Sequence, residues 1–362
     1  MIRRIKLFIK EYLFKKYIIE PRISYAHQDI GVKIYNNEII PISKEQKSTI
    51  TRFWQQYDVN HKIDFRWYDF YNTIDPSATH IEYYIPHDIF YGLVDTKLSN
   101  PIMAKYFDDK NLYDLIFHDV PQPKTIVRKD NEAILDVDYN IIDIETAINK
   151  CIEAKNIIAK PSVGSEGGAG IIFWDGTKDN IESIYNILNK NGQYIISEIA
   201  GQSPILNKIH KDSLNSIRIM SLMDGDEVII LSCVLRMGVN GNKVDNATSG
   251  GIFCGICDDG RLKDVAYNTL GKVIREHPQG GKLSNYIIPN IDKCKQLVKT
   301  CAPRLHCISK LCSWDLYIDQ YDNPGLIEVN MTYGGVQIHQ IPNGPIFGEH
   351  TSYILSKVFN KK

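Results

Sequence analysis

The sequence predicts an α+β protein whose strands and helices build two lobes around a cleft, with an extra region at the N-terminus. Between residues 125 and 198, apolar segments of strand length alternate with segments of helical periodicity. From Ser216 onward the pattern is rich in strands, and one helical segment, roughly Ile291–Leu305, interrupts it. We therefore expect an N-terminal region over 1–100, a smaller lobe with a lead-in helix over 101–200, and a larger lobe over 201–362.

The individual elements follow from apolar periodicity and from the turn formers at their ends. A helical segment around Leu98–Lys124 is flanked by Ser-Asn-Pro and ended by Pro-Gln-Pro. Further helices are expected near Ile144 and over Asn180–Lys190. Strands are expected at Thr125–Arg128, Asn156–Lys160, Ile171–Trp174, Tyr194–Glu198, Ile217–Met223, Glu227–Leu235, Gly251–Cys257, Trp314–Asp319 and Gly325–Asn330. Residues 1–100 are rich in Tyr and Trp and carry no recognisable chemical motif.

Composition is that of an ordinary globular protein, with 43% hydrophobic and 23% charged residues. The formal net charge is −1, so no overall positive field would recruit nucleic acid. The longest apolar runs fall far short of the roughly 18 residues that a membrane span needs. We expect a cytoplasmic protein, and the sequence does not predict its oligomeric state.

The first twenty residues are basic and amphipathic. Ile2, Ile5, Ile9 and Leu13 recur at helical spacing, and lysines and arginines crowd the remainder. No small-residue cleavage site follows an apolar core, so the segment is not typical of a signal peptide. Two interpretations stay open: a first helix that packs on its own protein, and a helix that lies on the anionic inner face of a membrane.

The eight cysteines are expected to be reduced thiols, because a chain of this size without a signal peptide does not need a disulfide framework. Cys254 and Cys257 have the spacing of a zinc or redox pair. A second such pair is missing, and no histidine lies at ligand spacing nearby. We therefore interpret this segment as a strand with small buried residues.

Strand alternation in the last hairpin brings polar side chains to one face. On the returning strand Glu328 and Asn330 share a face, with Ile327 and Val329 behind it. If the Tyr-Asp-Asn-Pro-Gly segment forms the turn, Asp315 lies opposite Glu328 and diagonal to Asn330. Two carboxylates and a carboxamide offer the oxygen ligands that Mg²⁺ prefers, and Glu328 is placed to bridge two ions. A plain hairpin with a polar outer face is the alternative.

A second signal is a lysine followed by a glycine-rich loop. Lys160 ends an apolar strand, and the loop over 162–170 leads into another apolar strand. Glycines let a backbone approach a ligand closely, and their N–H groups can cradle phosphate oxygens. The lysine precedes the glycines and a strand follows them, so this is not a P-loop. A tight hairpin without a ligand is the alternative.

Together, these two segments resemble the ATP-grasp superfamily, and the resemblance extends over residues 109–330. It implies two α+β lobes that clamp ATP, with Glu198 at the exocyclic amine or ribose and the Ile199 backbone at the adenine edge. It implies as ATP-binding residues Lys110, Lys160, Ser165, Gly167, Gly168, Glu198 and Ile199, and as Mg²⁺ ligands Asp315, Glu328 and Asn330. D-alanine–D-alanine ligases usually carry a phosphate-binding arginine just before the aspartate. Here Cys-Ser-Trp stands there, so the arginine comes from elsewhere or is absent.

Further segments resemble the sugar-transfer-associated branch of that superfamily, which is associated with cell-surface polysaccharide biosynthesis: Leu214–Ile219, Leu235–Gly238, Val244–Ile252 and Asn330–Gln340. Arg218 and Arg236 lie in the first two. We expect both, with Lys160, to be catalytic, because an arginine fork binds phosphate or carboxylate. The alternative is an arginine that merely pairs with a carboxylate. His339, in the last segment, either contacts the acceptor or is solvated.

The resemblance implies an ATP-dependent carboxylate–amine ligase that forms a C–N bond through an acyl phosphate. Its partner would be a small-molecule or glycan acceptor that bears a carboxylate or an amine. Two alternatives stay open on the same fold. One is a phosphotransferase that acts on a sugar hydroxyl, and the other is a non-catalytic nucleotide-binding regulator of glycan transfer.

Overall fold

Two antiparallel sheets carry the central part of the chain in the computed structural model, which describes residues 2–164 and 167–360. The N-terminal region that precedes them is helical: α1 Ile2–Phe14, α2 Glu20–Asn36, α3 Lys44–Trp54, α4 Arg66–Ile74, α5 His87–Ile89 and α6 Asp95–Leu98. π-helical turns at Lys15–Ile19 and Phe90–Val94 join α1 to α2 and α5 to α6. The α3 helix begins with a capping box between Ser43 and Gln46, which satisfies two terminal N–H groups.

The helical segment predicted over Leu98–Lys124 is helical in part, and it consists of several short helices instead of one continuous helix. They are α7 Pro101–Phe107, a 3₁₀ turn at Lys110–Leu112 and α8 Tyr113–Ile116. The Asn100 side chain accepts a hydrogen bond from Met103 N at 3.1 Å, and that of Asp109 accepts one from Asn111 N at 2.9 Å. Each of these acceptors starts a new helical turn, so the path bends instead of continuing.

The smaller sheet has six strands in the order β3-β2-β1-β6-β4-β5. Its strands are β1 Thr125–Lys129, β2 Ile134–Leu135, β3 Ile141–Ile142, β4 Asn156–Pro161, β5 Ile172–Asp175 and β6 Tyr194–Glu198, and its helices are α9 Ile144–Ala154 and α10 Ile181–Asn189. Asp143 caps α9 and Asn180 caps α10 through N–H groups of their first turns. The two helices and the sheet share a core that includes Trp174 and Ile196.

The larger sheet has seven strands in the order β11-β10-β9-β8-β7-β14-β15. The elements from residue 204 onward are α11 Pro204–Ile209, β7 Ile217–Asp224, β8 Glu227–Met237, β9 Ile252–Ile256, β10 Leu262–Tyr267, β11 Val273–Ile274, β12 Glu276–His277, β13 Gly281–Lys282, α12 Ile291–Cys301, β14 Leu311–Ile318, β15 Pro324–Asn330, α13 Val336–Asn343 and α14 Thr351–Val358. Strands β12 and β13 pair with each other as a separate ribbon.

Both faces of the larger sheet are covered. On β7, Ile217 and Ile219 join the core under α12, whereas Met220 and Leu222 join a second core with the N-terminal helices, α13 and α14. This alternation is the two-residue period of a strand buried on both sides. The N-terminal region therefore packs directly on the larger sheet, and the domain boundary at residue 100 stays a prediction.

The predicted strand with a buried cysteine is confirmed for Cys254, whereas Cys257 lies just after the strand and is half-buried. Strand β9 contains Cys254, whose side chain is fully buried, and burial raises the pKa of its thiol to about 12. All eight cysteines lie within the described residues and are free thiols. No helix within residues 2–164 and 167–360 is long and apolar enough to cross a membrane.

Candidate active site

A cleft of about 510 Å³ lies between the two sheets and takes its lining from both. Nine of the predicted site residues line it: Lys110, Lys160, Gly167, Gly168, Glu198, Ile199, Arg236, Asp315 and Glu328. Arg218 and Asn330 do not line it, but Arg218 pairs with the lining residue Asp315, and Asn330 lies two residues after the lining residue Glu328 on β15. Ser165 lies outside the described residues.

Two arginines hold the carboxylate at the floor of this cleft. Asp315 is fully buried, and its two oxygens accept from Nε and Nη2 of Arg218 at 2.6 and 2.5 Å. Nη2 of Arg236, from the neighbouring strand β8, lies 3.0 Å from Asp315 Oδ2. Both arginines therefore pair with a carboxylate, and whether either also binds phosphate stays a prediction.

The charges in this trio stabilise one another. Burial alone would raise the pKa of Asp315, but the charges of Arg218 and Arg236 outweigh it and hold the pKa well below its usual range. Burial likewise works against the charge of Arg218, and Asp315 reverses the balance and raises the pKa of Arg218 above its ordinary value. Asp315 and Arg218 are therefore both charged throughout the physiological pH range.

The predicted pairing of the last hairpin is confirmed, with one correction. Asp315 lies opposite Glu328, as expected, but the next residue of β14, Leu316, lies opposite Leu326. Ile327 is therefore the extra residue of a β-bulge, and it lines the cleft instead of packing behind the sheet. Simple alternation cannot foresee this change, because one inserted residue shifts the facing of its neighbours.

Asn330 lies at the end of the same strand. Its Nδ2 donates to the carbonyl oxygen of Ser313 at 3.4 Å, so its own carbonyl oxygen is the atom it can still offer to a cation. Asp315 keeps acceptor capacity as well, since Oδ1 accepts one of these hydrogen bonds and Oδ2 takes the other two contacts. The two side chains can thus add a ligand without losing their present partners.

Lys110 connects the two sides of the cleft. Its backbone N–H donates to Ser162 O, at the start of the glycine-rich loop, at 2.9 Å. Its ammonium lies 3.4 Å from Oε2 of Glu328 on β15. The 3₁₀ turn that carries Lys110 therefore positions a cation next to a carboxylate of the predicted metal trio.

Lys160 and Glu198 lie on neighbouring strands of the smaller sheet. Desolvation lowers the pKa of the Lys160 ammonium; the carboxylate of Glu328 opposes this, and the charge of Lys110 adds to it. Glu198 pairs with Lys124 at 3.2 Å near the surface. Ile199, which follows Glu198, is exposed at the edge of the cleft.

The glycine-rich loop reaches across to the larger lobe. Gly167 and Gly168 have φ of +65° and +78°, a region that residues with a side chain rarely adopt. The Gly167 carbonyl accepts a hydrogen bond from Ser249 Oγ at 2.6 Å, and a Cβ at Gly167 would lie 2.7 Å from Thr248 Oγ1. The loop over 244–249 therefore packs on the glycine-rich loop and covers the cleft.

Sequence reasoning missed a polar network beneath that cover. Ser216 Oγ accepts from Arg236 Nε and Nη2 at 2.9 and 2.7 Å, and it donates to the Asp245 carboxylate. Asp245 also accepts from the Ser216 backbone N–H at 2.9 Å. Asp245 lies in one of the segments that resemble the sugar-transfer-associated branch, but nothing in the sequence pairs it with Ser216. A long-range contact of this kind has no local signal.

His339 is neither solvated nor in contact with the cleft. It lies in α13, is fully buried, and its ring nitrogens lie 3.3 Å from Ser313 Oγ and 3.0 Å from Ser232 Oγ. Burial and the charge of Arg218 lower the pKa of His339 to about 3, so the ring is neutral at physiological pH. The ring therefore connects strands β14 and β8 through two serine hydroxyls.

A cleft between two antiparallel sheets, with lysines on one side and an acidic hairpin on the other, defines a nucleotide-clamping protein of the ATP-grasp class. Residues 95–354 match the family described as sugar-transfer associated ATP-grasp, and the match covers most of the chain. The chain belongs to this family and has the ATP-grasp fold, as the sequence predicted.

Solved structures with similarity to the chain include three ligases. D-alanyl-alanine synthetase A from Vibrio cholerae O1 biovar eltor is 14% identical with a TM-score of 0.38; the alignment covers 74% of this chain and 65% of that one, just under two thirds. D-alanine–D-alanine ligase from Bacillus anthracis is 14% identical, with 72% and 67% coverage and a TM-score of 0.40. The ATP-grasp ligase PsnB, complexed with minimal precursor, Mg and ADP, is 11% identical, with 72% and 62% coverage and a TM-score of 0.41. A comparison with curated proteins gave no match.

Proposed function

We propose that the protein is an ATP-dependent carboxylate–amine ligase that acts through an acyl-phosphate intermediate. The carboxylate belongs to a uronic acid or an amino acid, and the product contributes to a cell-surface polysaccharide. The observation that carries the proposal is the convergence of Lys110, Lys160, Glu328 and Asp315 on one cleft. Membership of the sugar-transfer associated family motivates the glycan acceptor.

The residues present fit Mg²⁺ and ATP. Asp315, Glu328 and Asn330 would hold the metal, since Asp315 Oδ1 and the Asn330 carbonyl oxygen keep acceptor capacity and Glu328 is partly exposed. The metal would supply charge neutralisation at the phosphates. Apolar residues offer a slot for the adenine ring: Ile158, Ile171, Phe173 and Ile327.

The side chains of the protein have separable roles in this reaction. Lys110 and Lys160 neutralise the phosphates and orient the γ-phosphoryl group for in-line attack by the substrate carboxylate. Arg236, which lines the cleft, stabilises the charge that develops on the transferred group, and Arg218 holds Asp315 in place. The amine then displaces phosphate to form the amide. The cover formed by the glycine-rich loop and residues 244–249 excludes water that would hydrolyse the acyl phosphate.

The acyl-phosphate step has a direct isotopic test. With an ¹⁸O-labelled carboxylate substrate, attack on the γ-phosphorus transfers one labelled oxygen to the phosphate that is released with the amide. We expect label in the phosphate by mass spectrometry. Phosphate without label, formed together with amide, would contradict the mechanism.

The two alternatives give different products. A phosphotransferase would transfer the γ-phosphoryl group of ATP to a sugar hydroxyl. It would release ADP and require no amine, and the sugar product would keep the phosphoryl group. A nucleotide-binding regulator would bind ATP and would turn over no acceptor. The charged groups around Glu328 favour the ligase over the regulator, because nucleotide binding alone does not require a complete metal trio.

We also propose that the first helix binds an anionic membrane surface and so places the enzyme near a glycan acceptor. Large apolar side chains of this segment are exposed beside exposed lysines: Phe8, Ile9, Tyr12, Leu13 and Tyr17. We expect co-sedimentation with phosphatidylserine vesicles that is lost in Phe8→Ser/Leu13→Ser and weakened by salt. Equal sedimentation of the variant would exclude this role.

A further inference from the structure

A histidine–aspartate cluster lies in the N-terminal region and has no part in the ATP reaction proposed above. Oδ2 of Asp88 lies 2.7 Å from Nε2 of His61 and 3.3 Å from Nε2 of His27. All three potential ligand atoms lie within 4.8 Å of one another. The three residues come from α2, from the segment between α3 and α4, and from α5, so the fold gathers them from separate parts of the chain.

Two of the three ligand separations are close to those of a small transition-metal site. With zinc–ligand bonds of about 2.0–2.2 Å, tetrahedral ligands lie about 3.3 Å apart. The His27–Asp88 separation of 3.3 Å already has this value, and the His61–Asp88 separation of 2.7 Å needs a small side-chain shift. Nitrogen ligands from two histidines select zinc-like ions over the magnesium expected in the cleft.

Asp88 supplies a second, independent observation. Its side chain is fully buried, and Oδ1 has no hydrogen-bond partner among the described residues. Buried carboxylate oxygens rarely lack a partner, because desolvating an uncompensated acceptor costs free energy. Both imidazoles face Oδ2, which is therefore the ligand atom that the spacing supports, and Oδ1 is available to join it in bidentate binding.

The neighbouring His87 does not belong to the cluster. Its Nδ1 lies 3.2 Å from Asp29 Oδ2, and Asp29 also accepts from Lys33 at 2.5 Å. This separate pairing uses an aspartate and a lysine at one helical turn of α2. The set of candidate ligands is therefore limited to His27, His61 and Asp88, and solvent reaches it along His27, whose side chain is 41% exposed.

We propose that His27, His61 and Asp88 form a zinc site with an open fourth position. Three protein ligands and one exchangeable position are typical of zinc that binds water or a further oxygen donor. The site stabilises the contact of the N-terminal helices with the segment after β15. Tyr91, one helical turn beyond Asp88, accepts from Val336 N at 3.0 Å and donates to Gln337 at 2.8 Å.

The test is metal analysis of the full-length protein. Wild type, His27→Ala, His61→Ala and Asp88→Asn are loaded with zinc, passed through gel filtration and analysed by mass spectrometry for metal. The matched control is His80→Ala, which removes an exposed histidine of the same region that pairs with Glu82. We expect about one zinc per chain in wild type and in the control. In the three variants the zinc affinity should fall by more than the roughly 10–100-fold that loss of an outer-shell partner causes.

Cobalt(II) gives a second measurement that does not depend on folding of the most buried variant. Cobalt in a four-coordinate site with two imidazoles gives intense visible absorption bands, and His27→Ala, which changes the most exposed ligand, should abolish them. Glu328→Gln should keep both the bands and the zinc, which separates this site from the cleft. Wild type without zinc or cobalt bands, or zinc content unchanged in His27→Ala and His61→Ala, would overturn the proposal and leave a cluster held by hydrogen bonds alone.

Discussion

The two sides of the cleft are held together in different ways. On the larger sheet, the buried carboxylate of Asp315 is fixed by two arginines at distances of 2.5–3.0 Å. On the smaller sheet, the ion pair of Glu198 with Lys124 is exposed, and a hydrogen bond from Ser249 to Gly167 connects the glycine-rich loop to the larger lobe. The comparison indicates that the floor formed by Asp315 and its two arginines is organised before the nucleotide arrives, whereas the opposite wall and its cover can adjust around it.

The largest expected effect is loss of the buried charge on the larger sheet. Asp315→Asn leaves Arg218 and Arg236 without their counter-charge, and we expect it to lower the free energy of unfolding by about 3–5 kcal/mol. Urea denaturation measures this loss. The control is Asp264→Asn, an exposed carboxylate on β10 of the same sheet, which should change stability by less than about 0.5 kcal/mol. Equal effects would show that the arginine pair does not depend on Asp315.

The smaller sheet should behave in the opposite way. Lys160→Met removes a cation that desolvation already disfavours, so we expect stability to stay constant or rise. Binding should suffer, because a hydrogen bond to a charged group contributes about 1.5–3 kcal/mol, or roughly 10–150-fold in kcat/KM for ATP. Steady-state kinetics and urea denaturation test the two halves. Lys190→Met, at an exposed lysine after α10, should alter neither.

His339 makes the free energy of unfolding depend on pH. Its pKa of about 3 in the folded state is below its ordinary value of 6.5, so between these values the unfolded chain binds more protons. Stability from this group is complete above pH 6.5 and is lost as the pH falls towards 3, by up to about 1.4 kcal/mol per pH unit. The difference between wild type and His339→Asn, measured from pH 4 to 7, isolates this slope from that of the carboxylates. If the stability difference between wild type and His339→Asn did not change with pH, the ring would not be buried in its neutral form.

The cover of the cleft gives the smallest effect and the closest control. Gly164 and Gly167 have φ of +63° and +65°, so alanine at either position carries a similar backbone cost of about 1–2 kcal/mol. A Cβ at Gly167 meets Thr248 at 2.7 Å, whereas one at Gly164 meets nothing within 4 Å. We expect Gly167→Ala to raise KM for ATP about two- to tenfold more than Gly164→Ala. This difference corresponds to the loss of one hydrogen bond, the one between Ser249 and Gly167. Equal values would mean that the contact does not hold the cover.

Much of the ATP-grasp part of the chain could be predicted from sequence because its signals are local. The strand at Tyr194–Glu198 and the pairing of Asp315 with Glu328 follow from alternation and a turn sequence, and the structure confirms both. The bulge at Ile327 could not be predicted, since one inserted residue carries no signature of its own.

Contacts between distant residues could not be predicted either. The pairing of Asp315 with Arg236 depends on the order of strands in the sheet, and so does the burial of His339. The N-terminal region was the hardest part to predict from sequence, because its aromatic residues pack against the larger sheet and recur with no simple period. The cluster of His27, His61 and Asp88 is separated by tens of residues at each step, so sequence reasoning missed it.

The central claim is that the acidic hairpin drives phosphoryl transfer to a carboxylate. The most direct measurement is phosphate release from magnesium-ATP by wild type and Glu328→Gln, with a panel of uronic acids and amino acids in the presence and absence of amines. We expect release that requires both a carboxylate and an amine, and that falls by about 100-fold or more in Glu328→Gln. Release that is unchanged in the variant, or that needs no carboxylate, would contradict the account.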